Sequence, residues 1–406
     1  MHNSDLPRSR RSSVLEQAAI YGICIVNLMY NIPSVAIADM VEEFAPVSQG
    51  VITTITMSVP CLTALLGINL IPVLQSRFSL KKITMAALVV AVLAGIIALL
   101  WHKSLAAILI ASIVMGLSYG VFCTMYPLLA AVGYPEKEAL GRVMAGCTAM
   151  VQVGRVITMS LSGLLADIAW HLIYLLCGLN ILVLLMVYFF LPDRGITPRR
   201  AKGSSGCYVQ LFKSGSFLYL GITAALYLIL YYTVATYVSV YVQGYNLGVP
   251  STTGTLSSLA SGTAIFTALL SARIYKVTGR YTSALAFLGM GIALILPGIH
   301  RSLPAIACGL ILASVVKSQH MPTVMKTIST IKDERLRTSA MALKETFVNI
   351  GYFLSPAITA GLGQLFGDGS AASVYFGSGA AALIVGLFML GFEIWREKRN
   401  IPVLSV

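Results

Sequence analysis

Charged side chains are scarce in this 406-residue chain, and acidic ones are the scarcest. Asp, Glu, Lys and Arg together make up 11% of the residues, whereas they make up about 25% of an average soluble domain. Hydrophobic residues make up 57%. A water-soluble protein of this length needs far more polar surface, so the composition excludes that class and indicates a membrane protein.

Metal-binding and catalytic patterns are also missing. The seven cysteines have no Cys-x-x-Cys spacing, and the five histidines are dispersed, so neither a metal site nor a disulfide framework is expected. Paired carboxylates, a nucleophile elbow and a Walker loop do not occur. We therefore expect no metal, no cofactor and no enzymatic activity.

Long apolar runs, by contrast, fill the sequence. A helix of about 20 apolar residues crosses a hydrocarbon core of about 30 Å. The runs are continuously apolar, which is typical of membrane helices rather than of transmembrane β-strands. Twelve spans are predicted, at residues 17–39, 49–74, 82–101, 104–129, 143–166, 169–191, 214–242, 251–275, 281–299, 303–325, 338–365 and 370–395.

The basic residues, 28 against 15 acidic ones, follow the polar loops. If both termini are cytoplasmic, 23 of the 28 lie in cytoplasmic segments, and the outer loops hold only Lys103 and Arg301. The positive-inside rule predicts this asymmetry. We therefore expect a multi-pass protein of the cell (inner or plasma) membrane, with both termini cytoplasmic. Its partner is the lipid bilayer and not nucleic acid. The first run is too long for a signal peptide and is taken as span one.

One polar segment divides the spans into two sets of six. Residues 193–213 are rich in Gly, Ser, Pro and basic residues, as a linker is. The predicted organisation is an N-terminal six-helix half over residues 1–192, a basic cytoplasmic linker over 193–213, and a C-terminal six-helix half with a short cytoplasmic tail over 214–406.

The loops after the second span of each set carry related residues, 200 positions apart. The first reads LQSRFS at 74–79, followed by two lysines, and the second reads IYKVTGR at 274–280. Together with the six-plus-six layout, these loops resemble those of the major facilitator superfamily. Ser76 and Lys276 stand where that family has an aspartate. The candidate gating residues are Arg77, Lys81, Gly279 and Arg280.

The resemblance implies an all-α polytopic fold of twelve transmembrane helices in two pseudo-symmetric six-helix bundles, with spans one, four, seven and ten lining a central cavity. It also implies secondary transport by alternating access around a midplane site. Ser112 stands where the family's proton antiporters carry an arginine, and Thr158-Met159 stands where they carry Gly-Pro. These departures argue against drug/proton antiport, which stays the alternative.

Three basic residues lie within predicted spans, where a cation costs at least about 2.5–3.5 kcal/mol and usually has a function. Arg155 shares a polar face with Gln152 near the midplane, where its guanidinium suits a carboxylate or phosphate. A purely structural role is the alternative. Lys317 is expected either to bind substrate or to snorkel to the membrane surface. Lys344 is the third.

Coupling to a proton requires a titratable group. Glu345 is the only carboxylate that we place well within a span, which makes it the first candidate; an ion pair with a neighbouring helix is the alternative. It is about 100° from the adjacent Lys344, so we expect no direct pairing between them. His320 is a second candidate because histidine titrates near neutrality, although most helix histidines are simply hydrogen-bonded.

Polar and aromatic stripes mark four of the spans that the resemblance assigns to the cavity. Tyr227 and Tyr231 share an arc of span seven, and tyrosine suits an organic ligand. Hydrogen bonding between helices is the competing explanation. The predicted substrate-binding residues are Arg155, Gln152, Lys317, Asn27, Asn31, Tyr119, Tyr227 and Tyr231, and the coupling candidates are Glu345, His320 and Lys344.

Three cations against one carboxylate favour an anionic, carboxylate-like organic solute. The alternative is proton-coupled efflux of drugs or amphipathic cations, which the tyrosines and Glu345 support. A membrane sensor or scaffold that has lost transport is a third possibility. We expect a monomer that binds a small-molecule substrate and a coupling proton or other ion.

Overall fold

The computed structural model describes residues 10–134, 136–194, 204–331 and 333–399. All regular structure in these ranges is helical, as a chain in lipid requires, because each backbone N–H and C=O needs a partner within its own segment. The α-helices are α1 (Arg10–Val26), α2 (Ile37–Glu43), α3 (Gln49–Thr53), α4 (Val59–Gln75), α5 (Leu80–Leu100), α6 (Leu105–Gly133), α7 (Lys137–Ile168), α8 (Leu179–Phe190), α9 (Ser204–Lys213), α10 (Gly215–Gly244), α11 (Pro250–Thr278), α12 (Thr282–Ile299), α13 (Leu303–Ser329), α14 (Glu334–Leu365) and α15 (Ala371–Lys398).

Three of the predicted spans are not uniform α-helices. Span one continues beyond α1 as a 3-10 helix over Met29–Val35, which contains Pro33. Proline has no N–H to donate, so it interrupts the α-helical ladder. A π-helical turn over Thr54–Ser58 joins α3 to α4 in span two, and span six begins as a 3-10 helix over Trp170–Gly178. Such segments are short departures from α-geometry within otherwise regular helices.

Ten helical segments of the described residues are long and apolar enough to cross a bilayer. The predicted spans at 251–275 and 338–365 are not among them, although α11 and α14 are 29 and 32 residues long. Serine and threonine are frequent in α11, and α14 begins with several charged residues. Both features lower the hydropathy of a helix without shortening it.

The described residues form two compact units. The first takes its residues from Met1–Tyr30, Thr63–Arg155 and Tyr174–Arg200. Within it, α5 packs against α6 and α8, and α1 packs against α6 and α8. Glycines allow close approach: a Cβ at Gly95 would lie 2.3 Å from the Cβ of Cys177.

The second unit takes its residues from Asn31–Leu62, Val156–Ile173 and Ala201–Val406. Its core is built on α12, which packs against α13 and α15, while α10 packs against α14. The sequence-based division puts 31–62 and 156–173 in the N-terminal half, yet these residues cluster with the C-terminal helices. The compact units therefore do not follow the predicted boundary at the linker.

The predicted linker is partly helical. Residues 195–203 lie outside the described residues, but 204–213 form α9. Leu211 of this helix is fully buried in a cluster with Phe217, Val324 and Leu336. Leu211 thus packs α9 against the second unit, a contact that the polar composition of the segment does not predict.

Candidate functional site

The predicted polar faces of spans one and four meet in the first unit. Asn27 is 5% exposed, and its Oδ1 accepts a hydrogen bond from the Cys123 thiol at 3.6 Å. Beside them the rings of Tyr30 and Tyr119 lie 4.1 Å apart, tilted by 35°. The result is a patch that combines an amide, a thiol and two aromatic faces, which we call the Asn27 patch.

Arg155 lies at the level of this patch. At Gly154, its neighbour, the backbone of α7 comes close to that of α1: a Cβ there would lie 2.1 Å from the carbonyl oxygen of Ile25. Ile25 is two residues before Asn27, so the backbone contact sets the height of Arg155 along the patch. Arg155 and Gln152 are both half-buried. The structure thus brings a guanidinium, an amide and tyrosine rings to one level of the first unit.

In the second unit, the ammonium group of Lys317 lies over an aromatic ring. Its Nζ lies 4.0 Å from the centroid of the Tyr231 ring, and Tyr231 is itself 4% exposed. A cation over an aromatic face is stabilised by the ring quadrupole, by about 2 kcal/mol or more when desolvated. The ring stabilises the ammonium without neutralising its charge.

Lys344 and Glu345 form an ion pair, which corrects the expectation that adjacent residues do not pair. The Lys344 ammonium contacts Oε1 of Glu345. The four-carbon lysine stem bends around the helix and overcomes the 100° separation of the two Cβ atoms. The Lys344 side chain is 7% exposed and that of Glu345 is 48% exposed. Asn349 donates to the Glu345 carbonyl at 2.9 Å and continues this face.

His320 lies in the aromatic core of the second unit. It is fully buried, and its ring stacks on Tyr227 with centroids 4.3 Å apart and meets the edge of Phe287. Neither ring nitrogen has a hydrogen-bond partner among the described residues. Tyr227 is also fully buried. The roles predicted for both stay predictions, and their packing is that of core residues.

Tyr232 is a residue that the sequence analysis missed. Its hydroxyl donates to Oδ1 of Asn31 at 3.3 Å and lies 3.1 Å from the Met57 carbonyl oxygen, and its ring lies 4.7 Å from that of Tyr352. The polar residue of span one thereby contacts an aromatic pair from α10 and α14. Tyr231 and Tyr232 are consecutive and therefore lie on two different faces of α10. This pair of adjacent tyrosines in the sequence could have indicated that Tyr232 makes contacts of its own.

The second loop motif is anchored by a buried carboxylate. Gly279 has φ +52°, a backbone conformation that side chains disfavour, and ends α11. The next residue, Arg280, donates from Nε to Glu393 at 3.1 Å, and Arg396 donates to the other oxygen of Glu393 at 3.4 Å. The Glu393 side chain is 5% exposed.

The first loop motif has a different arrangement. Arg77 is exposed, and Lys81 donates to the Tyr188 carbonyl oxygen at 2.7 Å. Glu16, another carboxylate that the analysis overlooked, is 1% exposed and paired with Arg194. Glu16 and Glu393 both lie near span ends. The prediction that Glu345 is the only carboxylate well within a span therefore stays a prediction, and Glu16 and Glu393 are further buried carboxylates at span ends.

Several contacts hold residues 31–62 and 156–173 to the C-terminal helices, among them three polar contacts and one between glycines. Asp39 Oδ2 accepts from Gln243 at 3.0 Å, Asp167 Oδ1 accepts from the Ser251 amide at 2.8 Å, and the hydroxyls of Ser160 and Ser258 lie 2.7 Å apart. The α-carbons of Gly163 and Gly254 are in close contact. We call these contacts the seam. Burial raises the pKa of Asp39 above its ordinary value.

Solved structures share this arrangement of helices. A variant of the nucleoside transporter NupG matches with a TM-score of 0.77 at 10% identity, covering 94% of this chain and 99% of the other. The D-xylose-proton symporter matches with 0.71 at 15%, covering 94% and 97%. The human organic anion transporter MFSD10 (TETRAN) matches with 0.67 at 17%, covering 95% and 100%. At these identities the likeness shows the fold alone, and it confirms the predicted all-α polytopic class.

A family model connects the sequence itself to that fold. The model described as Major Facilitator Superfamily matches residues 19–299, which is more than half of the chain and includes both loop motifs. No curated protein sequence matches. The predicted resemblance is therefore confirmed, as is the expectation that the chain is no enzyme, because the members of this family are transporters. The chain belongs to the Major Facilitator Superfamily and is a multi-pass membrane transporter of small solutes.

Proposed function

We propose that this transporter carries small organic anions, of which carboxylates are the favoured class, by alternating access. The observation that carries the proposal is the guanidinium of Arg155, half-buried at the level of the Asn27 patch. A cation within a span costs at least about 2.5–3.5 kcal/mol and is rarely kept without a function. Guanidinium binds a carboxylate through two parallel hydrogen bonds, and the amides of Asn27 and Gln152 add neutral donors.

Lys317 supports the same substrate class from the second unit. Its ammonium rests on the Tyr231 ring, which lowers the cost of burying the cation. An anion gains from the positive charge of the ammonium, whereas a cationic substrate is repelled by it. A cation at this position therefore supports the anionic class from a second place in the chain.

The Lys344–Glu345 pair supplies a coupling group in this proposal. The Lys344 ammonium is held by the charge of the Glu345 carboxylate, and a proton on that carboxylate removes this charge. A proton taken up by Glu345 would release Lys344, which changes the charge of the α14 face. His320 is not needed for this step, because its ring is enclosed by Tyr227 and Phe287.

Transport by the purified chain in proteoliposomes tests the substrate class. We expect uptake of small carboxylates, and we expect Arg155→Gln to reduce it about 10- to 150-fold, since a hydrogen bond to a charged group contributes about 1.5–3 kcal/mol. Lys103→Gln, which removes an exposed loop cation, is the matched control and should transport normally. Unchanged carboxylate uptake by a folded Arg155→Gln variant would refute the anion assignment.

Efflux of amphipathic cations is the second candidate. The observation that favours it is the Tyr232–Tyr352 ring pair, two turns along α14 from the exposed carboxylate of Glu345, since aromatic faces and a carboxylate both bind cations. Transport of cations but not of anions, lost in Glu345→Gln, would favour this candidate. A folded protein that moves no solute under any imposed gradient would favour a sensor or scaffold.

We also propose a cell-membrane location with both termini cytoplasmic, a monomeric state and functional halves at 1–192 and 214–406 joined by 193–213. The support is the concentration of basic residues in alternate loops. Reporter fusions at the carboxyl terminus and at Lys103 test the orientation: the first should report the cytoplasm and the second the outer side. The reverse result would invert the topology.

A further inference from the structure

A groove of about 460 Å³ opens on the first unit between α4, α5 and α6. That volume is within the range of ligand pockets, about 300–1,000 Å³. The wall is apolar and includes Leu70, Leu74, Ala86 and Val90. Among the described residues that line the groove, Lys82 carries the only charge. A long apolar wall with one cation is the pattern of an amphipathic ligand rather than of a wholly polar one.

The shape of the groove fits one leaflet of a bilayer. Its inner end lies where α4 meets α6, and Gly67 allows such close contact there that a Cβ would lie 2.4 Å from the Leu117 carbonyl oxygen. Lys82, an exposed residue in the first turn of α5, lies at the opposite end of the lining, which we call the open end. The groove follows α5 from Lys82 to Val90, nine residues or about 12 Å of helix. This is less than half of the hydrocarbon thickness of about 30 Å.

The open end is suited to an anion. The first turn of α5 contains no acidic residue, and its N–H groups have no partners within the helix, which makes a helix start attractive to phosphate. Lys81 is bonded to the Tyr188 carbonyl oxygen, whereas Lys82 is exposed. Ser79, one turn before Ile83 on the same face, is 5% exposed, and its hydroxyl has no hydrogen-bond partner among the described residues.

We propose that the groove binds an anionic phospholipid, with one acyl chain along α5 and the phosphate against Lys82 and the start of α5. The apolar wall explains the chain, and the cation at the membrane-surface end explains the headgroup. A headgroup with net negative charge complements Lys82. A zwitterionic headgroup carries a cation of its own beside the phosphate, and that cation reduces the attraction.

Native mass spectrometry of the purified full-length chain tests this assignment. Phosphatidylglycerol and phosphatidylcholine with identical acyl chains are titrated separately. We expect phosphatidylglycerol to bind about fivefold more tightly, the factor expected for one lysine near a headgroup. Lys82→Gln should remove this preference, whereas Lys103→Gln should keep it. Equal binding of the two lipids by the unchanged protein would overturn the proposal.

The position of the chain is tested separately. Ala86→Phe fills the groove and should weaken both lipids, whereas Val89→Phe, at a 43% exposed position of the same helix outside the groove, should weaken neither. Phosphatidylglycerol with a diazirine on its acyl chain should crosslink to Leu70, Leu74 or Val90. Crosslinks only elsewhere, or equal effects of the two phenylalanines, would show ordinary bilayer contact and refute the site. The crosslinking map needs no variant, so it decides even if a substitution prevents folding.

Discussion

The close contact between Gly154 and Ile25 leads to a sharp prediction for Gly154→Ala. The new Cβ would lie 2.1 Å from the Ile25 carbonyl oxygen, whereas non-bonded carbon contacts are about 3.5–4.0 Å long. The two helices must therefore separate by more than about 1 Å at this point. Overpacking of this kind costs about 1–3 kcal/mol, while alanine in a helix contributes about 1 kcal/mol relative to glycine. We expect a net loss of stability of up to about 2 kcal/mol.

Transport should suffer more than stability. Arg155 follows Gly154 directly, so a shift of this size moves its guanidinium away from the Asn27 patch. If that breaks one charged hydrogen bond to an anion, uptake falls at least about tenfold. The assays are the thermal unfolding midpoint in detergent and the initial rate of carboxylate uptake in proteoliposomes.

Gly141→Ala is the matched control for this experiment. Gly141 lies in the same helix, but a Cβ there meets nothing within 4 Å. This variant should gain up to about 1 kcal/mol from helix propensity and transport normally. If Gly154→Ala behaves like Gly141→Ala in both assays, α7 does not rest on α1 as described, and the positioning of Arg155 is wrongly explained.

Two further predictions concern buried carboxylates. Glu393→Ala leaves Arg280 and Arg396 without their buried acid and should lower the free energy of unfolding by about 3–5 kcal/mol. The control is Glu138→Ala, which removes an ion pair whose glutamate is 86% exposed and should cost less than about 1 kcal/mol. Equal shifts of the two variants in denaturation would contradict the first value. Burial raises the pKa of Asp39 above its ordinary 3.8, so the folded state binds the Asp39 proton more tightly than the unfolded state does. The contribution of this proton to stability is therefore fully present below about pH 4 and is lost as the pH rises through the raised pKa. In Asp39→Asn this part of the slope should vanish between pH 4 and 8, and melting curves parallel to those of the unchanged protein would refute that reading.

The helical architecture was predictable because it depends on composition. The backbone N–H and C=O groups of each span must be hydrogen-bonded within that span in lipid, so long apolar runs predict where the helices lie. The basic loops predict which loops share one side of the membrane. Local departures were less visible. Pro33 lies within the predicted first span, and the sequence does not show that the chain takes a 3-10 path over Met29–Val35 instead of a kink.

Pairing between distant residues was not predictable from local pattern. Arg280 and Glu393 are 113 positions apart, and Glu16 and Arg194 are 178 apart. Their partners are determined by helix packing, which periodicity does not encode. For Lys344 the partner is the next residue, Glu345. The prediction that the two do not pair was wrong because it considered only the directions of the Cβ atoms and not the length and flexibility of the lysine side chain. A single sequence indicates which residues are unusual, whereas only the fold shows what they touch.

The seam has a consequence for the energy supply of the transport cycle. In the alternating-access cycle that we propose, the seam opens once per turnover. Its two hydrogen bonds to carboxylates contribute about 1.5–3 kcal/mol each and the bond between serine hydroxyls about 1 kcal/mol, which together amount to about 4–7 kcal/mol. Binding with a Kd between about 1 mM and 1 μM releases about 4–8 kcal/mol. Binding of a metabolite at ordinary affinity therefore releases free energy comparable with that of these seam hydrogen bonds, and it offsets them where binding favours the opened form.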